Sequence, residues 1–194
     1  RAPIDEAGTY RLTGERGTFV EQHIEALLWL NIAVAALLVL VILLAALRLA
    51  IDKPIDFQAG QYVNVHLPGF EHPRAFSLSN EPRLKNRLEL NVRHVPNGKG
   101  TTFIHKELKV GDAVKVSGPL GRFFVRKSDA QPVIFMAGGS GLSSPRSMIL
   151  DMLDHDGDVR KMTLIYGARN RAELYYHDLF VDPAAKHANF RYVP

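Results

Sequence analysis

The hydrophobic period of this chain changes once, near Gln131, and that switch restricts the fold more than any other feature of the sequence. Upstream of it, Val63, Val65 and Leu67 alternate with Tyr62, Asn64 and His66, and Leu88, Leu90 and Val92 alternate with Glu89, Asn91 and Arg93. A period of two places one set on a core face and the other toward solvent, the mark of a half-buried strand. Val114 and Val116 resume the pattern after the turn cluster Lys109-Val110-Gly111-Asp112, and short strands separated by turns predict a small antiparallel barrel. Downstream, Val133-Ile134-Phe135-Met136 is a continuous apolar run, expected of a strand buried on both faces. It leads into Gly138-Gly139-Ser140-Gly141. Ser144 and Pro145 then read as N-cap and first helical position, Met148, Ile149, Met152 and Leu153 as one apolar stripe, and Gly157 as the stop. Met162 to Tyr166 supplies a second buried strand, which makes a βαβ unit and begins a parallel sheet. Tyr175 and Tyr176 read as residues of a further amphipathic helix, and Asn189 to Pro194 as a strand entering the sheet. The boundary between the two architectures falls between Lys127 and Pro132.

One stretch fits neither pattern. From Ala26 to Leu47 no residue is charged, and Asn31 is the only strongly polar member. As a helix it would reach about 33 Å at 1.5 Å per residue, enough to cross a bilayer, with Trp29 placed as an interfacial anchor. The run Val39 to Ile42, rich in β-branched residues, favours instead a buried hairpin or core helix. The expectation adopted is a helical protrusion over 26–47, with membrane association as its functional consequence.

Composition narrows the chemistry. An apolar content of 46% with 23% charged residues is that of a globular protein. The absence of cysteine excludes disulfides, thiolate nucleophiles and cysteine-ligated iron–sulfur clusters within these residues. The net charge of +4 is scattered among acidic residues, which argues against nucleic-acid binding and suits steering of an acidic protein partner. The eight histidines show no ligand spacing on a common helix face, so no metal site is expected. The chain starts at Arg1 and stops on a strand-like segment, and on that ground it reads as a fragment.

Four segments carry the chemistry. Arg74-Ala75-Phe76-Ser77-Leu78-Ser79-Asn80 sets a guanidinium, an aromatic ring and a hydroxyl on one short element. Gly98-Lys99-Gly100-Thr101-Thr102 follows, then the Gly138 to Gly141 loop, then Gly167-Ala168-Arg169. A strand, a glycine loop and a helix start suit a diphosphate, because glycine lets amides approach and a helix N-terminus favours an anion. The Gly138 loop is neither a G-x-G-x-x-G fingerprint nor a nucleophile elbow, and Gly98-Lys99-Gly100 is not a P-loop. Taken singly, each has a bland explanation: Arg74 as a surface ion pair, Phe76 as core, the glycine loop as an ordinary strand-to-helix turn. Their order is what gives them weight.

From about Asp52 to Pro194 the chain resembles the flavin and nicotinamide domains of the ferredoxin–NADP reductase superfamily, and within it the reductase components of bacterial multicomponent phenol hydroxylases and related aromatic monooxygenases. The segments carrying the likeness are Pro54 to Asn64, Arg74 to Asn80, Phe103-Ile104-His105-Lys106, Gly138 to Ile149 and Gly167 to Tyr175. The resemblance implies an antiparallel six-stranded flavin-binding barrel, a partial parallel-sheet nicotinamide-binding domain and an apolar helical insertion near the N-terminus. The corresponding division is 1–25 as an N-terminal segment holding a first barrel strand, 26–47 as the insertion, 48–128 as the FAD barrel and 129–194 as the partial NAD domain. It further implies that Arg74 contacts the flavin diphosphate beside Ala75, that Phe76, where many relatives have Tyr, packs on the isoalloxazine, and that Ser77 hydrogen-bonds near flavin N5 as the catalytic residue. Gly98, Gly100, Thr101 and Thr102 would grip the diphosphate, and Gly138, Gly139, Ser140 and Gly141 would receive NADH or NADPH. Gly167 and Arg169 would lie beside its ribose and phosphates.

The implied activity is NAD(P)H oxidation through FAD, with electrons delivered to a hydroxylase or ferredoxin-like protein in the cytoplasm or on the cytoplasmic face of the inner membrane. A [2Fe-2S] centre would have to come from outside these residues. The later Cys-Gly-Pro motif and terminal aromatic of the family are absent. A membrane-tethered ferric or flavin reductase and a non-catalytic nucleotide-binding module are the alternatives.

Overall fold

The computed structural model describes residues 44–51, 53–126, 128, 130–154 and 157–194. Strand β1 (Leu44–Ala50) pairs antiparallel with β4 (Arg87–Arg93), in a register that sets Leu47 opposite Leu90. A second antiparallel sheet has the order β3-β2-β5, from β2 (Tyr62–His66), β3 (Arg74–Ser77) and β5 (Lys115–Leu120). The two sheets are stitched by a Leu78–Leu90 bridge and by the Ser79 amide donating to the Glu89 carbonyl at 2.8 Å. Helix α1 (Lys99–Lys106) closes one end, Ile104 joining Phe57, Val63, Val65, Leu67, Leu78, Leu88, Leu90 and Val92 in the core.

The expected alternation holds in β2, whose Val63 and Val65 are fully buried between half-buried neighbours. In β4 it fails on one side, because Glu89 and Asn91 are buried along with the leucines. Five strands in two sheets are present among the described residues, not a closed six-stranded barrel. The expected apolar helix is also corrected: 44–47 belong to β1, held by β4, while 1–43, with the N-terminal segment and the rest of the insertion, lie outside the described residues. No helix of the described residues is long and apolar enough to cross a membrane.

The second architecture is parallel, in the order β6-β7-β8, from β6 (Val133–Gly138), β7 (Met162–Gly167) and β8 (Phe190–Val193). Helix α2 (Ser143–Asp154) crosses between the first two strands and α3 (His177–Lys186) between the last two. Both connections are the βαβ crossovers that parallel strands require. The α2 stripe of Met148, Ile149, Met152 and Leu153 is buried with Phe135, Leu164, Tyr166, Phe180 and Phe190.

Three local expectations need correction. The β6 run is covered on one face only: Phe135 is 5% exposed, whereas Ile134 is 66% and Met136 75% exposed. Ser144 does not cap α2. A 3-10 turn over Gly139–Leu142 leads straight into the helix, and the Ser144 hydroxyl donates to the Gly60 carbonyl at 3.3 Å. Tyr175 and Tyr176 precede α3, and Tyr176 sits at its N-cap in the left-handed region, at φ 58°.

Candidate functional site

The 74–80 segment and the start of α1 converge. A Cβ built on Gly100 would stand 3.1 Å from Arg74 Nε and 3.3 Å from Arg74 Cγ, so the side chain lies closely against a helix position that has none. The guanidinium donates to the carbonyls of His72 at 2.9 Å and Pro73 at 3.4 Å and stands 5.6 Å from the Phe70 ring. It has no carboxylate partner among the described residues, so the bland ion-pair reading of Arg74 fails. Gly98, at the N-cap of α1, offers no capping side chain, and the first amides of a helix have no intrahelical acceptor. An uncompensated guanidinium beside open amides at the positive end of a helix dipole suits a phosphate. The residues present therefore fit a phosphate-bearing cofactor.

The hydroxyls of Thr101 and Thr102 both have partners within the protein. Thr101 Oγ1 accepts from the Val95 amide at 3.1 Å and donates to the Gly98 carbonyl at 3.1 Å, while Thr102 Oγ1 lies 3.2 Å from His94 Nε2. Both hydroxyls hold the loop that presents the amides. Strand alternation sets Arg74 and Phe76 on one face of β3 and Ala75 and Ser77 on the other. Phe76, half-buried, packs against the core between the antiparallel sheets. Ala75 is exposed, and the half-buried Ser77 hydroxyl has no hydrogen-bond partner among the described residues.

The glycine loop sits where β6 and β7 end. Gly138 and Gly167 are register partners at the carboxyl ends of these parallel strands, the crevice in which open α/β sheets take ligands. A Cβ at Gly139 or Gly141 would meet nothing within 4 Å, so the loop borders open space. Ser140 turns its carbonyl to the Ser143 hydroxyl at 3.0 Å. Arg169, just past β7, is held by Glu173 through Nε at 3.0 Å and Nη2 at 2.8 Å. That pairing keeps Arg169 charged and holds the Glu173 carboxyl below its ordinary range.

Tyr166 is a loop-positioning residue that periodicity presents only as core. Its hydroxyl donates to the Gly139 carbonyl at 3.1 Å, and burial pushes its pKa from the ordinary 10.0 up to about 12, against a hydrogen bond from the Tyr175 backbone. The unfolded chain releases this proton first, so the stability attached to it is complete below pH 10 and declines as the pH rises toward 12. The urea midpoint is expected to drop between those two pH values, and Tyr166→Phe should flatten the drop; an equally steep drop in the variant removes Tyr166 from the account.

A buried polar cluster was also missed. Arg146 in α2 reaches Ser79 and Glu89, and Tyr176 reaches Asn91. One sign was available: Arg146 stands three residues before Ile149, on the stripe otherwise reserved for apolar side chains.

The chain matches an oxidoreductase FAD-binding domain over residues 42–125 and an oxidoreductase NAD-binding domain over 135–194. It is 58% identical over 161 residues to the reductase component DmpP of phenol 2-monooxygenase from Pseudomonas sp. strain CF600, covering 83% of this chain and 45% of that protein. It is 53% identical over 148 residues to the phenol hydroxylase P5 protein of Acinetobacter pittii, covering 76% and 42%. The chain thus spans about half the length of these relatives. Among solved structures, the Amycolatopsis cytochrome P450 reductase GcoB superposes with a TM-score of 0.72 at 34% identity, covering 78% of this chain and 46% of that one.

Proposed function

Because the chain belongs to the ferredoxin–NADP reductase superfamily, carrying its FAD-binding and NAD-binding domains in order, we propose that it is the flavin and nicotinamide portion of a reductase that passes electrons from NADH through FAD to the protein acceptor of an aromatic-ring monooxygenase. The observation that carries this reading is the unpaired Arg74 guanidinium laid on Gly100 beside an uncapped helix start. The names of the two phenol hydroxylase relatives supply the acceptor class. FAD supplies the ability to take a hydride and release electrons one at a time.

The protein's own part is binding and alignment. Arg74 and the open amides of Lys99, Gly100 and Thr101 hold the flavin diphosphate, with Gly98 and the Thr101 and Thr102 hydroxyls bracing them. Ala75, Phe76 and Ser77 border the ring, and the Ser77 hydroxyl offers a hydrogen bond at flavin N5, where a proton must arrive and leave. Gly138, Gly139, Ser140 and Gly141 admit the NADH diphosphate, with Gly167 and Arg169 at its ribose. In this reading 48–128 form the flavin half and 129–194 the nicotinamide half. A [2Fe-2S] centre enters only from another domain or partner.

An absorbance spectrum of the purified chain before and after anaerobic NADH tests both sites at once: a yellow protein that bleaches is expected, and a colourless one that stays so after incubation with excess FAD refutes the reading. Ser77→Ala should keep FAD bound yet slow its reduction by NADH by roughly the 10²-fold typical of a lost positioned proton donor. Unchanged reduction would take Ser77 out of the mechanism.

A further inference from the structure

The geometry points to Arg146 as a positioning residue that sets the nicotinamide half against the very strand segment bearing Ser77; this rests on the reading above. Arg146 leaves the first turn of α2 with only 11% of its side chain exposed. Its Nη1 donates to the Ser79 carbonyl, to Ser79 Oγ at 3.1 Å and to Glu89 Oε2 at 3.2 Å. The guanidinium carbon lies 4.6 Å from the centre of the Tyr176 ring. The Tyr176 hydroxyl donates to Asn91 Oδ1 at 2.7 Å, and Asn91 Nδ2 donates to Ser79 Oγ at 2.8 Å. A closed circuit results: Arg146 and Tyr176 from the nicotinamide half, Ser79 and Asn91 from the flavin half, and Glu89 as counter-charge.

Three features separate this circuit from ordinary packing. Tyr176 is held at φ 58°, a conformation that a bulky residue keeps only when its surroundings demand it. Arg146 Nε is buried without a partner, so this site keeps a cation at the expense of one unsatisfied donor. Glu89, 7% exposed, is shared with Arg48 at 3.4 Å and Arg87 at 3.3 Å, which fix its carboxylate from the flavin side. The neighbouring contacts, Ser147 Oγ to the Asn80 carbonyl at 2.6 Å and Ser144 Oγ to the Gly60 carbonyl, are uncharged and would survive loss of the guanidinium. Ser79 stands two residues beyond Ser77, so a shift at Arg146 moves the nicotinamide loop relative to the N5 contact while leaving the Arg74 cradle in place.

Arg146→Met and Arg146→Lys, each prepared as the full chain with FAD, test this. Arg146→Met is expected to retain FAD and to lower the NADH-saturated rate of flavin reduction by roughly 10²-fold, the penalty of about 1 Å of misalignment, with KM for NADH changed less than about twofold. Arg146→Lys keeps the charge toward Glu89 but loses the flat stack on Tyr176, and should recover part of that rate. Independently of turnover, calorimetry of the FAD-free chain should show one cooperative transition in the parent and two in Arg146→Met. A parent-like rate with a single transition overturns the proposal, and so does a single transition at lower temperature with KM rising as the rate falls. If Arg146→Met does not fold, Arg146→Lys carries the same test, a parent-like rate and single transition again overturning it. Failure of the parent itself to bleach with NADH would sink the oxidoreductase reading, and the calorimetric comparison would still decide the role of Arg146.

Discussion

Gly60→Ala is expected to unfold or open the chain under conditions where the parent is intact, because residue 60 is wedged between its two architectures. Its φ is +101°, and a Cβ there would stand 2.1 Å from the Phe123 carbonyl oxygen and 2.4 Å from Met148 Cε. The methionine end can swing away, but the carbonyl belongs to the backbone joining the flavin half to the nicotinamide half. A positive φ costs an L-residue roughly 1–2 kcal/mol, and an unaccommodated methyl in a packed site roughly 1–3 kcal/mol more. Together these approach the lower end of the total stability of a domain, about 5 kcal/mol. The displaced backbone would also disturb the bond from Ser144 to the Gly60 carbonyl. Gly69→Ala is the control: φ is +79° and nothing lies within 4 Å, so it carries strain without collision. Urea unfolding of both variants separates the two terms, and a Gly60→Ala midpoint no lower than that of Gly69→Ala would refute the wedge.

Arg74→Ala should yield a folded protein that loses FAD on gel filtration. Hydrogen bonds to charged groups contribute about 1.5–3 kcal/mol each, so one lost phosphate contact weakens binding by roughly 10- to 150-fold at 1.4 kcal/mol per decade. The fold should tolerate the change, because the guanidinium donates only to the local carbonyls of His72 and Pro73 and rests near the Phe70 ring. Arg74→Lys keeps the charge but not the fork, and should fall between the two. Equal FAD retention by parent and Arg74→Ala, measured by absorbance after dialysis, would exclude the contact.

The sequence alone was enough to place the change of architecture near Gln131, the strand β2, the stripe on α2 and the glycine loop at the end of β6, since each follows from short-range periodicity or turn chemistry. What it hid were facts about coverage. Ile134 and Met136 match a doubly buried strand by composition, yet periodicity cannot report whether a second layer of helices lies against them. Glu89 and Asn91 look like the solvent side of β4 because their partners, Arg146 and Tyr176, stand 57 and 85 residues away along the chain. Tyr176 combines a left-handed backbone with contacts to Asn91 and Arg146, which no local propensity encodes. The candidate site segments could be listed in chain order from their residue types, but the inward turn of the Thr101 hydroxyl and the contact of Thr102 with His94 emerge only from the loop geometry.

That inward turn has a consequence for anyone mapping this protein by mutational scanning. With the Thr101 hydroxyl bonded within its own loop and Thr102 Oγ1 set against His94, recognition at the start of α1 falls chiefly to peptide groups, which every amino acid except proline supplies alike. Alanine replacement through 98–102 would report loop collapse rather than ligand contact, and tolerant substitutions there would be mistaken for irrelevance. Only changes that edit the main chain itself, such as proline or an amide-to-ester exchange at residues 99–101, would read out what that corner recognises.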